Sequence, residues 1–319
     1  MKRDIDNVLV IAQKEFADSI WSPRFFVILG IFLIAFLVNG YQSGQIMSNN
    51  GNIPGFSPLT MGFLGFTSQM STLGPLMAIV LGFDAIVRER KSGSLNVLLT
   101  HPVYRDQVIT GKLIGMMVTL GFVVVVAVGA SIGMMLGISG IAISTEVMVR
   151  IIVFMMLAFL FMLTFLSLSI ATSAFTKESS DSLIYSIAVW VVLTLLLGMI
   201  AYTVAGIVTG EQKFGAAVVS SEDYSSIEKI RKIEHVSNII MSISPSTHLN
   251  ELIRGQDDIF AIPSRSDEKH SEMQGLFDTG FTLEYWIVQN WVSIVILLAI
   301  PSILLIISYM AFMRLDITL

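Results

Sequence analysis

Residues 84–112, DAIVRERKSGSLNVLLTHPVYRDQVITGK, decide the fold because they lie between two long apolar runs. Each run is long enough to cross a bilayer as one helix, which needs about 20 apolar residues. The segment therefore lies on one face of a membrane. An excess of lysine and arginine in a short loop indicates the cytoplasmic face. The basic residues of this loop are Arg88, Arg90, Lys91, Arg105 and Lys112.

A short amphipathic helix is predicted inside this segment. The Ser-Gly-Ser sequence at 92–94 provides a turn and an N-cap, and Leu95, Leu98 and Leu99 follow at helical spacing. Pro102 cannot continue the helix. The sequence thus predicts a small apolar surface on the cytoplasmic side, of a size that fits a groove on a soluble partner.

The same segment resembles the cytoplasmic coupling segment of ABC transporter permeases of the ABC-2 class. An ordinary basic loop with an interfacial turn is the alternative. The resemblance implies a six-span permease that acts as an export subunit, is driven by a separate ABC ATPase and pairs with a second permease as a homodimer or heterodimer. The residues implied to couple the permease to the ATPase are Glu89, Arg90, Gly93, Leu95, Leu98, Leu99, Pro102 and Arg105.

Composition also indicates a membrane protein. Apolar residues make up 54% of the 319 and charged residues 13%, whereas soluble domains carry about a quarter charged residues. The mean hydropathy is +0.77. With 0 cysteines there are no disulfides or thiolate metal sites, and a net charge of −5 does not indicate nucleic acid as a partner. No cofactor is expected.

Six transmembrane spans are predicted, so the fold class is an all-α integral membrane protein. In lipid each span must be helical, because an unpaired backbone amide costs several kcal/mol there. The third and fourth spans are longer than a hydrocarbon core of about 30 Å requires, so they are expected to tilt or to project beyond it. The predicted spans are 24–44, 61–87, 106–137, 146–175, 180–207 and 286–313.

The short loops predict the orientation of the chain. Apart from Arg150, their basic residues fall on the side that carries the 84–112 segment. This distribution predicts a multi-pass protein of the plasma membrane with both termini in the cytoplasm. The basic residues on that side, besides those of the segment, are Lys2, Arg3, Lys14, Arg24, Lys177 and Arg314.

The first twenty residues predict an amphipathic helix in the plane of the lipid headgroups rather than a span. Trp21 marks the interface, and Pro23 fits the first turn of the following span. The stretch that includes Glu15, Phe16 and Trp21 also resembles the lead helix of ABC-2 permeases, although many membrane proteins begin with an interfacial helix. The other apolar positions at helical spacing are Ile5, Val8, Leu9, Ala12 and Ile20.

Residues 208–285 are predicted to form an extracytoplasmic region, since long loops are translocated largely regardless of charge. Periodic isoleucines predict an amphipathic helix over 226–241. The stretch 243–249 resembles the external Ser-Pro stretch that precedes the last span of ABC-2 permeases. The polar stretch 256–280 predicts a flexible or loosely packed loop. The expected organisation is 1–207 with the coupling segment, 208–285 outside, and 286–319 with the last span and a short cytoplasmic tail.

The sequence predicts neither a catalytic site nor a metal site. His235, His248 and His270 match no short ligand spacing and are expected to be exposed or on a helix face. No P-loop is present, because Asp106 stands where the first glycine of that motif would precede Gly111-Lys112. ATP hydrolysis is therefore expected in a separate partner subunit.

Charges at the ends of spans are predicted to form i,i+4 pairs. Glu146 with Arg150 is expected as a solvated pair at the outer surface, with a gate as the alternative, and Asp84 with Arg88 has the same spacing. Glycines four residues apart predict close helix packing, within the chain or at a dimer interface. These glycines are Gly40, Gly44, Gly129, Gly133 and Gly137.

The leading functional hypothesis is the membrane half of an ATP-driven exporter. Closure of the ATPase dimer would move the coupling segment, tilt the spans that it joins and switch the cavity from inward-facing to outward-facing. The alternative is a membrane scaffold or mechanotransmission subunit whose external region binds an extracytoplasmic protein. A secondary transporter is disfavoured, because no inverted repeat of broken helices and no paired charges within spans are visible.

Overall fold

The computed structural model describes residues 2–49, 58–92, 104–140, 144–209, 224–255, 275–278 and 280–314. These residues form helices joined by short turns, and no strand occurs among them. The all-α prediction is confirmed. The helices are α1 (Lys2–Ile20), α2 (Pro23–Asn49), α3 (Pro58–Gly82), α4 (Val87–Ser92), α5 (Arg105–Ser139), α6 (Thr145–Phe175), α7 (Ser179–Val191), α8 (Leu197–Thr209), α9 (Tyr224–Met241), α10 (Pro245–Arg254) and α11 (Leu283–Met313).

Six helical stretches of the described chain are long and apolar enough to cross a membrane, which confirms the six predicted spans. α5 has 35 residues and α6 has 31. At 1.5 Å per residue they are about 50 and about 45 Å long, so both exceed the hydrocarbon core. The spans run over Pro23–Ser48, Gly62–Lys91, Asp106–Ser139, Thr145–Phe175, Ser179–Thr209 and Leu283–Met313.

The core of the bundle lies where α3, α5 and α6 meet. In their most apolar stretches half or more of the residues are buried, against 11% in Ser179–Thr209 and 17% in α11. The last two spans therefore present most of their side chains to the surroundings of the chain. In a membrane such apolar faces can contact acyl chains or the helices of another subunit.

Close glycine packing occurs between α2 and α5. A Cβ atom at Gly44 would lie 2.9 Å from the carbonyl oxygen of Met135, and one at Gly40 would overlap Ser131. The prediction of packing within the chain is confirmed for these two glycines. It is wrong for Gly133 and Gly137, where no described heavy atom lies within 4 Å of an added Cβ. Those two positions face away from the neighbouring helices that the structure describes.

The two ends of the bundle are named here by the short helices they carry. At the α4 end lie α4, the start of α5 and the end of α6. At the α10 end lie α10, residues 275–281 and the starts of α6 and α11. A π-helical turn, Val192–Leu196, separates α7 from α8, and its Leu193 carbonyl accepts a 3.0 Å hydrogen bond from Ser244, the N-cap of α10.

The described parts of the region before the last span lie at the α10 end of the bundle. The helix predicted over 226–241 is confirmed as α9, and α10 packs on α3, α6 and α11. The Leu276 amide donates to the Leu252 carbonyl (3.2 Å), and the Phe277 ring stacks on Phe63 with 3.5 Å between centroids. The prediction of a loose loop is therefore wrong for 275–277, which are buried. Residues 256–274 lie outside the described residues.

Candidate coupling site

The predicted coupling residues are divided by what the structure describes. Glu89 and Arg90 lie in α4, and Arg105 is the first residue of α5, where the helix is described without its side chain. The others lie outside the described residues. They are Gly93, Leu95, Leu98, Leu99 and Pro102.

A buried ion triad joins three helices at the α4 end. The ammonium of Lys112 on α5 lies 2.9 Å from a carboxylate oxygen of Glu15 on α1 and 3.1 Å from one of Glu89 on α4. The three side chains are 6%, 15% and 13% exposed. A charge so far from water must be paired, and breaking such a pair costs about 3–5 kcal/mol. The triad therefore holds α1, α4 and α5 in one arrangement.

Two glycines of α5 allow α1 to reach this position. A Cβ atom at Gly111 would lie 2.8 Å from the Cβ of Ile11, and one at Gly115 would lie 2.7 Å from the Cβ of Glu15. Any larger residue would push α1 away from α5. The glycines thus bring Glu15 within reach of Lys112. The predicted first helix is present as α1, and its position in the headgroup plane stays a prediction.

α4 is also attached to the end of α6. The guanidinium of Arg90 donates to the carbonyls of Thr176 (3.1 Å) and Ala174 (3.0 Å), groups that a helix terminus leaves without partners of its own. The amides of Ile86 and Val87 donate to the Ser173 hydroxyl at 3.0 and 3.2 Å. The short helix is thereby fixed to α6 by three hydrogen bonds, and Ile86, the last residue of the preceding turn, makes a fourth.

The predicted pair of Asp84 with Arg88 is not formed. The Asp84 carboxylate instead lies 3.3 Å from Arg24 at the start of α2. The backbone keeps the helical i,i+4 spacing here, because the Arg88 amide donates to the Asp84 carbonyl at 3.0 Å. The Asp84 side chain is paired instead with a cation on the neighbouring helix.

At the α10 end a second buried cation holds the chain together. Arg150 is 1% exposed, and its guanidinium contacts a Glu146 oxygen (2.7 Å), the Leu276 carbonyl (2.5 Å) and the Phe281 carbonyl. The pair with Glu146 was correctly predicted, but the prediction that it is solvated is wrong for Arg150. The stretch 275–278 and residues 280–281 lie over the guanidinium and remove it from water.

His248 forms a polar cluster between α10 and α11. Its Nε2 lies 2.8 Å from the Ser242 carbonyl, and its Nδ1 lies 3.2 Å from the Ser293 hydroxyl. Ser293 also donates to Glu251 (3.0 Å). The interaction with Glu251 raises the pKa of His248, and the same interaction lowers the pKa of Glu251.

Of the two positions expected for the histidines, exposed or on a helix face, His248 takes the second, because it lies on α10 and is 4% exposed. His235 is exposed as expected, and His270 lies outside the described residues. Within the described ranges no group of three or more His, Cys, Asp or Glu side chains could hold a metal ion. The cluster around His248 therefore serves to join helices.

Comparison with known proteins gives the family. Residues 9–317 match the profile of the family described as ABC-2 family transporter protein. The chain belongs to this family. Permeases of the family work with an ABC ATPase in a membrane, so this chain is a multi-pass permease subunit of an ABC transporter.

Two curated relatives are described as probable ABC transporter permeases. The permease is 27% identical over 201 residues to a probable ABC transporter permease protein NosY of Pseudomonas aeruginosa, covering 60% of this chain and 68% of that one. It is 26% identical over 215 residues to a probable ABC transporter permease protein NosY of Stutzerimonas stutzeri, covering 66% and 74%. Both relatives are similar to the permease over most of their own length.

Proposed function

We propose that this permease is an export subunit, that a separate ABC ATPase binds its 93–104 segment as a coupling helix, and that ATP is hydrolysed only in that partner. The observation that best supports this is the attachment of α4, which leads directly into the segment. Lys112 connects it to α1 and α5, and Arg90 connects it to α6. A displacement of the segment would therefore reach several spans at once.

The connection between α3 and α4 is suited to this motion. Residues 83–86 form a turn, whereas α4 is bonded to the end of α6 through Ser173 and Arg90. We expect α4 and the end of α6 to move as one unit, with the turn absorbing the change relative to α3. A few residues at the end of an element commonly act as such a hinge.

The proposed orientation places the α4 end in the cytoplasm of the cell and the α10 end outside the plasma membrane. The basic residues of the short loops support this assignment through the positive-inside rule. Both termini are then cytoplasmic, and the 208–285 region is extracytoplasmic. A cysteine at Ser92 should resist an impermeant thiol reagent in intact cells, and one at Ser264 should react.

We further propose a second permease subunit, identical or homologous, beside the first. The span Ser179–Thr209 supports this, because only 11% of its most apolar stretch is buried within the chain. A substrate path between two permeases would use faces that one chain leaves open. Cross-linking at paired cysteines along that span tests the proposal, and the absence of any dimer in membranes would contradict it.

The decisive experiment for the coupling proposal changes Leu98 and Leu99 together to Asp. Two charges in an apolar groove would cost several kcal/mol, so the variant should insert and fold but lose co-purification with its ATPase. The matched control is Lys91→Ala. Its side chain is 55% exposed and 3.9 Å from Glu178, and exposed pairs contribute about 0–1 kcal/mol.

Two results would contradict the coupling proposal. One is a double-Asp variant that binds its ATPase and transports normally. The other is a Lys91→Ala variant that loses ATPase binding as completely as the double variant does, because the apolar positions would then have no special role.

A scaffold or mechanotransmission role is the second candidate, and one observation favours it. Arg150 and the Phe63–Phe277 stack fix residues 275–281 to α3 and α6. A movement of α6 would therefore carry the outer region, to which an extracytoplasmic protein could bind.

A deletion distinguishes the two candidates. Gly275 lies against Ile253 and Arg254, so a short Gly-Ser linker from Gly255 to Gly275 can replace 256–274. The exporter proposal expects ATP-dependent transport to survive this replacement. Loss of function together with loss of an extracytoplasmic partner, while ATP turnover continues, would favour the scaffold.

A further inference from the structure

The end of α6 contacts α4 on one side and α7 on another. Ser173 accepts from two amides where α4 begins, at 3.0 and 3.2 Å, and Arg90 of α4 donates to two carbonyls at the end of α6. The preceding residue, Thr172, contacts α7 instead. Successive residues of a helix point about 100° apart. One turn of α6 can therefore be bonded to two different helices.

Thr172 is bonded to two serines of α7. Its Oγ1 lies 3.1 Å from the Ser182 hydroxyl oxygen and 2.7 Å from that of Ser186. Both serines are 0% exposed. A threonine oxygen can accept two hydrogen bonds while it donates its own proton, and Thr172 donates to the Ser169 carbonyl (2.8 Å). The three hydroxyls therefore hold the first two turns of α7 against α6.

Other hydroxyls of α6 are used differently. Thr164 donates to the Leu160 carbonyl at 3.3 Å, and Ser167 donates to the Leu163 carbonyl at 2.6 Å. Both acceptors belong to α6 itself. Such a bond satisfies a hydroxyl in an apolar environment without joining two helices. The bonds of Thr172 across to α7 are therefore not explained by the need to pair a buried hydroxyl alone.

The fifth span changes its helical geometry just beyond Ser186, at the π-helical turn Val192–Leu196. The chain beyond this point is held by other elements. The Leu193 carbonyl accepts from Ser244, the N-cap of α10, at 3.0 Å, and α8 packs on α9. A π-helical turn interrupts the regular α-helical ladder and is frequent at functional sites. It lies between the part of the span bonded to α6 and the part bonded to α10.

We propose that Thr172 is a positioning residue that transmits a displacement of α4 to the fifth span, and that this span bends at Val192–Leu196. The unit that moves consists of α4, the end of α6 and the first two turns of α7. α8 stays with α9 and α10, so the π-helical turn absorbs the change of direction, as a few residues at the ends of elements commonly do. This inference rests on the proposed function, because the ATPase would produce the displacement.

Three single-cysteine labels test the inference in the full-length permease bound to its ATPase in nanodiscs. The chain has 0 cysteines, so a bimane label reports on one position. Lys91→Cys on α4, Tyr185→Cys on α7 and Ile207→Cys on α8 replace side chains that are 55%, 58% and 62% exposed. On addition of ATP and vanadate, we expect the bimane emission to shift at positions 91 and 185 and to stay constant at 207.

Variants of Thr172 then test its role. Thr172→Val keeps the shape of the side chain but removes the hydroxyl, so the shift at 185 should be lost while the shift at 91 remains. Thr172→Ser keeps the hydroxyl and should restore the shift at 185. Thr164→Val is the matched control and should leave both shifts unchanged. Ser186→Ala removes the shorter contact to Thr172 and gives a second test if Thr172→Val does not fold.

The labels separate failure of this inference from failure of the proposed function. No shift at 91 in the native complex would contradict the coupling proposal, and this inference with it. A shift at 91 without one at 185 would overturn the role of Thr172 alone, as would a shift at 185 that survives both Thr172→Val and Ser186→Ala. An equal shift at 207 would show that the fifth span moves as one rigid helix without bending.

Discussion

Two buried cations hold the two ends of the permease, and they do so by different chemistry. At the α4 end Lys112 contacts two carboxylates, Glu15 and Glu89, each on a different helix. At the α10 end Arg150 contacts the carboxylate of Glu146 on its own helix and two backbone carbonyls of residues 275–281.

The difference indicates which end is suited to movement. A lysine ammonium is a compact charge with three rotatable donors, so its partners can shift while they stay paired. An arginine guanidinium is a planar fork that holds its acceptors in fixed directions. The triad therefore connects parts that are proposed to move, whereas the Arg150 contacts fix the region before the last span to α6.

The largest expected effect comes from Lys112→Ala. It would leave the Glu15 and Glu89 carboxylates buried without their cation, and such a loss costs about 3–5 kcal/mol. α1 should separate from α5, and ATPase coupling should fall. Thermal unfolding in nanodiscs and limited proteolysis of α1 measure this. An unchanged melting temperature would show that the triad contributes no net stability.

A smaller effect is expected from Arg150→Lys. This variant keeps the positive charge but loses the planar guanidinium with its fixed N–H donors. At least one acceptor, the carbonyl of Leu276 or of Phe281, would lose its donor, at a cost of about 1–3 kcal/mol. Hydrogen exchange at the Leu276 amide should become faster while α4 is unaffected. If hydrogen exchange at the Leu276 amide is the same in Arg150→Lys as in the native protein, the proposed difference in rigidity between the Lys112 and Arg150 contacts is wrong.

The smallest effect concerns pH at the α10 end. The raised pKa of His248 means that its contribution to stability is full below its unfolded pKa of 6.5 and is lost as pH rises through the folded value. The lowered pKa of Glu251 means that its contribution is full above 4.5 and is lost as pH falls through the folded value. Stability should therefore be highest between 4.5 and 6.5.

The measurement is the melting temperature of the permease from below pH 4.5 to well above pH 6.5, with His248→Gln as the matched variant. The variant should remove the decline above pH 6.5 and leave the region of the triad unchanged. A decline of equal size in His248→Gln would assign the pH dependence to other groups.

The spans could be predicted from the sequence because hydropathy accumulates over about 20 neighbouring residues. The coupling helix predicted after α4 stays a prediction, since residues 93–103 lie outside the described residues. The contacts of Lys112 were not predicted, because Glu15 lies on a helix far earlier in the chain. Glycines at 111 and 115 were the available sign that another helix approaches α5 there.

The errors have similar physical causes. Arg150 was predicted to be solvated because the i,i+4 rule considers only nearby residues. Its partner Leu276 is 126 residues away in the sequence. Asp84 was paired with Arg88 because the rule considers one helix only, whereas the Asp84 carboxylate pairs with Arg24 on another helix. Local periodicity predicts elements, but the pairing of distant charges depends on packing.

The π-helical turn Val192–Leu196 makes the fifth span sensitive to its residue count. Such a turn accommodates one more residue than an α-helical turn, and each residue added to or removed from an α-helix rotates the remainder of that helix by about 100°. Deleting one residue from this turn would convert it to an α-helical turn and change how α7 and α8 are joined. It would also move the Leu193 carbonyl away from Ser244. The placement of α10 on the bundle therefore depends on the number of residues in this turn.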